Sequence, residues 1–272
     1  MKKAAKFLAY LFCIILTIII LAPLVWIFIN SFKTKKELFT NSLALPTQWL
    51  FSNYVKAWNK GISRYFLNSI ITSAISLVGI LAVASMLAYG LTRFHAKLAP
   101  AILIIVLGGM ALSEQVALVP LFKIMQITHI YNTRLAVILP YIAFRIPFTV
   151  FLMRAYFISI PVELEEAATL DGYNSFQIFT RIILPISKPV LASCTIINLN
   201  YVWNEFLFAN VFLNSKNLMT IPIGLMTFKG ELNVDYTIIL AGLIIGSAPM
   251  IILFLTMSKQ FVRGLTSGAV KG

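Results

Sequence analysis

The amino-acid sequence predicts an all-α polytopic membrane protein with six transmembrane helices. Of its 272 residues, 60% are hydrophobic and only 11% are charged, and the mean hydropathy is +0.90. A soluble domain of this length needs far more polar surface. A helix that crosses the hydrocarbon core of a bilayer needs about 20 apolar residues, so the long apolar runs can be counted as candidate spans.

Six apolar runs are long enough to cross a bilayer. The predicted spans are Phe7–Ile29, Leu67–Leu91, Leu98–Leu121, Leu135–Phe157, Val190–Leu213 and Thr237–Met257. The first imitates a secretory signal. Its apolar run is too long for one, however, and no small-residue cleavage site follows, so we interpret it as a retained span. An even number of spans places both termini on the same side of the membrane.

The net charge of +13 raises the question of a nucleic-acid partner. The basic residues are spread over loops and termini rather than gathered on one helix face, and Lys and Arg beside spans are expected in any membrane protein. We therefore expect no nucleic-acid partner. The basic residues also divide almost evenly between the two sides of the predicted membrane, so the charge distribution alone does not fix the orientation.

The long polar segment between the fourth and fifth spans predicts two short helices outside the bilayer. Acids follow Pro161, where the helix dipole favours negative charge, and Asp171-Gly172 is a typical helix stop because glycine adopts a left-handed conformation cheaply. Asn174 or Ser175 can cap a second helix, which Pro185 ends.

This segment contains the sequence EEAATLDGYNSFQIFTRIILP, residues 165–185. It resembles the signature of the membrane subunits of binding-protein-dependent ABC importers, which reads Glu-Ala-Ala, three residues, Gly, nine residues, Ile, one residue, Leu-Pro. The matching residues are Glu166, Ala167, Ala168, Gly172, Ile182, Leu184 and Pro185. Three further stretches, LALPTQWLFSNYVKAW, YVWNEFLFANVFL and FVRGLTSGAVKG, are similar to the carbohydrate-importer branch, in particular to the smaller maltose-type permease.

The resemblance implies a type I ABC importer permease fold and a role in sugar import. It also implies a bacterial cytoplasmic membrane location with both termini in the cytoplasm. The expected partners are a second homologous permease, two cytoplasmic ATPase subunits and an extracytoplasmic sugar-binding protein. In this orientation, residues 1–66 are the first span and an extracytoplasmic loop. Residues 67–272 are a five-helix core with a cytoplasmic coupling loop (158–189) and a cytoplasmic tail (258–272).

Two segments are implied to contact the ATPase. The coupling residues are Glu165, Glu166, Ala167, Ala168, Asp171 and Gly172. The small alanines permit close approach of another surface, and the acids offer contacts to basic groups. The contacting residues of the tail are Gly264, Leu265, Thr266, Ser267 and Gly268, although composition alone predicts a flexible tail. The alternatives are a solvated loop that separates two spans and a basic anchor at the membrane surface.

The sequence contains no G-x-x-x-x-G-K-[ST] motif, which would cradle nucleotide phosphates. We therefore expect this chain to be no enzyme and to bind no cofactor, with ATP and Mg²⁺ held by the partner ATPase. His95 and His129 stand at neither triad nor metal-ligand spacing from other reactive residues, so no metal site is expected.

Ionisable and amide side chains inside spans are costly and call for a functional hypothesis. The fifth predicted span carries Asn198, Asn200, Tyr201, Asn204 and Glu205. This polar sector is a candidate lining for a sugar pathway. Hydrogen bonding between helices is an equally open interpretation.

Arg145 lies near the middle of the fourth predicted span. At about 1.5 Å of rise per residue, an extended side chain there can reach Glu205 or Glu114. We therefore predict an intramembrane ion pair between Arg145 and one of these two acids.

Other functional classes fit the sequence less well. An ion-coupled secondary transporter calls for an inverted repeat, and none is visible. A membrane-embedded enzyme lacks a catalytic set. An ABC importer permease for another small solute remains an alternative, and the sequence does not identify the sugar.

Overall fold

The computed structural model describes residues 2–94, 97–228 and 234–269, with side chains described within 6–257. Fourteen α-helices and no β-strand occur within these residues. The helices are α1 Lys2–Asn30, α2 Lys35–Thr40, α3 Ser52–Ala57, α4 Ser63–Arg93, α5 Ala99–Gly108, α6 Glu114–Ile127, α7 Leu135–Ile158, α8 Glu163–Leu170, α9 Ser175–Ile178, α10 Leu184–Ile186, α11 Lys188–Asn204, α12 Leu207–Phe212, α13 Ile221–Met226 and α14 Tyr236–Ala269. The predicted all-α fold is confirmed.

Four helical segments of the described chain are long and apolar enough to cross a membrane: Lys6–Asn30, Ser52–Arg93, Leu135–Ile158 and Tyr236–Met257. They correspond to the first, second, fourth and sixth predicted spans. Two further helix pairs pass the same test but are sharply bent, so the number of spans is six when each bent pair counts as one. The apolar part of the first segment is entirely exposed within this chain.

The third predicted span, Leu98–Leu121, is wrong as a single helix. The helical axis turns by 102° between Ala99–Ala111 and Glu114–Ile127. Leu112 and Ser113 have extended backbone between the two helices, with ψ of 119° and 134°. The preceding glycine pair has low helix propensity, and serine is a favoured residue at a helix start. Hydropathy alone therefore missed the break.

The fifth predicted span, Val190–Leu213, is also broken. Helix α11 ends at Asn204, the backbone of Glu205 is extended, with φ −65° and ψ 129°, and α12 starts at Leu207. On the other side, α11 meets the segment Ser175–Ile186 at a bend of 78°.

The chain forms two compact units, one of residues 1–66 with 224–249 and one of residues 67–223 with 250–272. In the first unit the ring of Phe32 packs against the rings of Trp49, Phe51 and Tyr54, at centroid distances of 5.0–5.1 Å. Beside it Lys33 is buried, and its Nζ donates to the carbonyls of 41 and 42 at 3.0 and 3.2 Å. These bonds compensate the cost of burying the ammonium group.

Helix α2 begins with a capping box in which Thr34 and Glu37 bond to each other's backbone amides. The Glu37 carboxylate also accepts hydrogen bonds from the hydroxyl and amide of Thr47. These hydrogen bonds lower the pKa of Glu37 to about 2, and the bond from the Thr47 side chain has the largest effect. The Glu37 carboxylate is therefore ionised at neutral pH, the form that accepts these hydrogen bonds.

The second unit has two apolar cores. The first gathers the last turns of α4 and α7 with α8 and the chain that follows it, including Tyr89, Phe157, Ala168 and Phe179. The second gathers α6, α7, α11 and α12, and its largest side chains include Tyr141, Phe208 and Phe212.

Close packing in the first unit centres on Tyr65, which is 5% exposed and whose hydroxyl lies 3.2 Å from Thr227 Oγ1. A Cβ atom added at Gly224 would lie 2.2 Å from Tyr65 Cδ2 and 2.4 Å from Cγ. Real contacts of this kind are never so short, so α13 reaches the ring only because residue 224 has no side chain.

We expect Gly224→Ala to lower the free energy of unfolding by about 1–3 kcal/mol because the tyrosine ring must move. Thermal unfolding in detergent micelles provides the measurement. Gly108→Ala is the matched control, since nothing lies within 4 Å of a Cβ built there, and we expect it to be neutral or slightly stabilising. An equal effect of the two substitutions would contradict the packing argument.

Candidate coupling loop and intramembrane polar site

Helix α8 has the start and the stop that the sequence predicts. Its first turn contains three acids, and the helix ends at Leu170. Gly172 follows with φ +86°, and its amide donates to the carbonyl of Thr169 at 3.0 Å. Nothing lies within 4 Å of a Cβ built on Gly172. The position therefore constrains only the backbone conformation, which redirects the chain towards α9.

The predicted coupling residues do not all face the same way. Glu166, Ala167, Asp171 and Gly172 are exposed, whereas Ala168 is 4% exposed and belongs to the first apolar core. Leu170 is 90% exposed at the end of the helix. Sequence reasoning missed Leu170, although an apolar residue directly before a helix stop in a solvated loop was the available signal.

Glu165 is engaged within the chain. Its Oε1 accepts from Arg93 Nε at 2.5 Å and its Oε2 accepts from the Tyr89 hydroxyl at 3.0 Å. The side chains of Glu165 and Arg93 are each only 13% exposed. Within this chain Glu165 therefore has a basic partner of its own, whereas the neighbouring Glu166 is exposed.

The chain after α8 follows the prediction at its start but not at its end. Asn174 forms a capping box with Gln177, which confirms it as the helix cap. Pro185, predicted to end this second helix, lies instead in the first turn of α10, where its missing N–H costs little. A π-helical turn at Phe179–Ile183 joins α9 and α10.

Asn198 and Arg145 are bound to each other between α11 and α7. Asn198 is 1% exposed, its Oδ1 accepts from Arg145 Nε at 2.9 Å, and its Nδ2 donates to Thr149 Oγ1 at 2.9 Å. The Arg145 guanidinium lies 4.6 Å from the ring centroid of Tyr201. For Asn198 the structure thus supports hydrogen bonding between helices.

The two acids that were predicted to pair with Arg145 accept hydrogen bonds from tyrosine hydroxyls instead. Tyr201 donates to Glu114 Oε1 and Tyr141 donates to Glu205 Oε2, each at 2.5 Å. The predicted ion pair is therefore corrected: the guanidinium binds an amide oxygen and an aromatic face instead. The bends at 112–113 and 205 place the carboxylates beside tyrosines, and a straight-helix estimate could not anticipate this.

Glu205 stabilises the break that ends α11. Its two carboxylate oxygens accept from the backbone amides of Phe208 at 2.7 Å and Ala209 at 3.2 Å. These amides belong to the first turn of α12 and have no partner within that helix. Glu205 is 7% exposed, so its role within this chain is to cap a buried helix end.

Asn200 and Asn204 lie on the opposite, exposed side of α11. Asn204 Nδ2 donates to the backbone and side-chain oxygens of Asn200 at 2.8 and 3.1 Å. Asn200 also lines an open, mainly apolar groove of about 530 Å³ between α11 and the second half of α14. The five predicted pathway residues therefore separate into a buried network and an exposed amide pair.

The bend between α5 and α6 adds polar groups that sequence reasoning missed. Ser113 Oγ donates to Gln115 Oε1 at 2.6 Å, and both residues are exposed. The residue between them is Glu114, which accepts from Tyr201 of α11. The glycine pair and serine within an apolar run were the available signal. Nowhere in 2–94, 97–228 or 234–269 do three His, Cys, Asp or Glu side chains form a group that could hold a metal ion.

The residues of the predicted tail contacts have side chains that the structure does not describe. The backbone is helical to Ala269, but the side chains of Gly264, Leu265, Thr266, Ser267 and Gly268, and all of 270–272, lie outside the described residues.

Residues 80–266 match the family described as binding-protein-dependent transport system inner membrane component. The chain therefore belongs to this family of bacterial membrane proteins and is a permease subunit of an ABC transporter. It is 49% identical over 263 residues to the "probable ABC transporter permease protein YurM" of Bacillus subtilis, covering 97% of this chain and 88% of that one. It is 34% identical to the "arabinooligosaccharides transport system permease protein AraQ" of the same organism, covering 96% and 94% of the two chains.

A solved structure confirms the type I importer permease fold. The "crystal structure of a bacterial ABC transporter involved in the import of the acidic polysaccharide alginate" contains a chain that matches with a TM-score of 0.83 at 23% identity. The match covers 95% of this chain and 97% of that one.

We expect Glu205→Ala to lower the free energy of unfolding by about 2–4 kcal/mol, because three buried donors lose their acceptor. Unfolding by SDS titration in mixed micelles measures the difference. Asn204→Ala, at the adjacent exposed position, is the control and should change stability by less than about 0.5 kcal/mol. Equal losses in the two variants would refute the capping role.

Proposed function

We propose that this permease subunit imports oligosaccharides. The observation that carries the proposal is the set of relatives that match over nearly the whole chain and are named for sugars. Their names specify arabinooligosaccharides, diacetylchitobiose, starch degradation products, and melibiose, raffinose and stachyose. These substrates share a dense array of hydroxyl groups, which amide side chains bind well.

In this proposal the chain forms the pore with a second homologous permease. Two cytoplasmic ATPase subunits hold ATP and Mg²⁺, and an extracytoplasmic binding protein delivers the sugar. The sequence contributes no phosphate-binding loop of its own. Both termini and the loop 158–189 lie in the cytoplasm, which leaves the segment 30–66 on the side where the binding protein docks.

Coupling between ATP hydrolysis and transport runs through α8. Its exposed surface combines the carboxylates of Glu166 and Asp171 with Ala167 and the apolar side chain of Leu170. Such a surface suits a groove with basic rims and an apolar floor. The residues Gly264–Gly268 form a second contact with the ATPase subunits.

The translocation pathway in this proposal is lined by exposed polar groups of the second unit. Asn200 and Asn204 on α11, with Ser113 and Gln115 at the neighbouring bend, offer donors and acceptors to sugar hydroxyls. The network of Arg145, Asn198 and Thr149 lies behind this surface and holds α7 and α11 together. It stabilises the wall without contacting the sugar.

The function is tested in proteoliposomes that contain the chain, its partner permease, the ATPase and the binding protein. We expect at least one oligosaccharide from the classes named above to stimulate ATP hydrolysis several-fold. Stimulation should require the binding protein. Methionine is the negative control, and stimulation by amino acids but by no oligosaccharide would overturn the sugar assignment.

The coupling role is tested at Gly172. Gly172→Val should reduce co-purification of the ATPase and stimulated ATP hydrolysis by about tenfold or more, because a β-branched residue resists a φ of +86°. Gly172→Asn is the matched control, since asparagine tolerates the left-handed region. The space around the position is open within this chain, so a steric clash inside the subunit is excluded as the cause. Full activity of the valine variant would contradict the coupling role.

A further inference from the structure

The last turn of α4 is tied to α8 by a group of three side chains, Tyr89, Arg93 and Glu165. Besides the two bonds to Glu165, the Arg93 Nη2 donates to the carbonyls of Phe157 at 3.2 Å and Ile160 at 2.9 Å. The carbonyl of Phe157 belongs to the C-terminal end of α7, where the helix dipole favours a cation, and that of Ile160 lies in the linker that follows. One guanidinium therefore connects the ends of α4 and α7 with the first turn of α8.

The surroundings of this group are apolar. The Tyr89 ring lies 5.1 Å from the ring of Phe179 and 6.5 Å from that of Phe157, and Tyr89 is 6% exposed. Breaking a charge pair that is largely removed from water is costly, because loss of one partner leaves the other buried and uncompensated. The neighbouring carboxylate of Glu166 is exposed and makes none of these bonds.

The chain itself connects α8 directly to α7, through the short linker 159–162, but α4 is distant in sequence. The separation between Arg93 and Glu165 is 72 residues. A displacement of α8 thus passes to α7 through the backbone and to α4 only through side chains. Of these, the bonds of Glu165 are directional, whereas the apolar contacts around Ala168 permit sliding.

We propose that Tyr89, Arg93 and Glu165 form a clamp that makes α4 and the coupling helix α8 move as one body during the transport cycle. The inference rests on the proposed coupling role of α8 and assigns to Glu165 a task different from that of Glu166. Glu165 is a positioning residue, which transmits the movement that the ATPase imposes on the exposed face of α8. Arginine is required because a lysine ammonium cannot reach the carboxylate and both carbonyls in the same geometry.

The test measures the distance between nitroxide labels on α4 and α8 in the assembled complex in nanodiscs. The labels are placed at Val83→Cys and Glu163→Cys, both exposed positions, in a background without Cys13 and Cys194. Distances are recorded without nucleotide and with ATP and vanadate. The clamp predicts one narrow, unchanged distance in both states. In Glu165→Gln and in Arg93→Lys the distribution should broaden or split after ATP and vanadate are added.

Three further variants make the outcome decisive. Lys97→Gln, which neutralises an exposed charge outside the clamp and the coupling surface, is the matched control and should keep the narrow distance. The double variant Arg93→Gln/Glu165→Gln should broaden the distribution no more than Glu165→Gln alone, as expected for groups that act as a unit. Tyr89→Phe removes a single hydroxyl and keeps both charges of the pair. The distance between the labels is measured in this variant too, so the clamp is tested even where neutralising the pair reduces assembly of the complex.

An unchanged narrow distance in both Glu165→Gln and Tyr89→Phe would overturn the clamp. Co-purification of the ATPase is scored in the same samples, and we expect the clamp variants to retain it. Loss of ATPase co-purification in Glu166→Gln or Gly172→Val tests the proposed coupling surface and not the clamp. The two hypotheses therefore fail in different measurements.

Discussion

In the hydrocarbon core of a membrane, no water is available to satisfy an amide or a carboxylate, so every polar group must find its partner within the protein. Two breaks in the helices of the second unit follow this constraint. Where α11 breaks, the Glu205 carboxylate bonds to the freed amides of α12. Where α5 and α6 separate, Glu114 accepts from Tyr201. The bends and the polar network thus depend on each other, since neither is stable in an apolar medium without the other.

The same constraint explains how much of the fold was predictable. Four spans followed from hydropathy because a long apolar helix needs only lipid around it. The stop at Gly172 and the cap at Asn174 followed from local backbone preferences, which act over a few residues. The breaks in the third and fifth spans depend on partners far away in sequence, such as Tyr201 for Glu114. Hydropathy does not identify these partners. Distances estimated along straight helices consequently assigned Arg145 to an ion pair.

The candidate sites were predictable to a similar degree. Motif spacing located the coupling loop, but only tertiary contacts distinguish Glu165, which is bound to Arg93, from Glu166, which is exposed. The sequence placed Asn198 and Asn200 in one predicted span without indicating which side of the helix is buried. A helical wheel gives relative directions, whereas burial depends on which side of α11 meets a neighbour such as α7, whose Arg145 bonds to Asn198.

The exposed first helix has a consequence for how the protein is made. The apolar part of Lys6–Asn30 has no buried residue in this chain, and its hydropathy suits transfer into lipid without packing against the chain's other helices. Such a helix can insert into the membrane as soon as it leaves the ribosome, before the remainder of the polypeptide is synthesised. Packing within this chain consequently sets no volume for its side chains, whereas the buried faces of α4 and α7 must retain theirs.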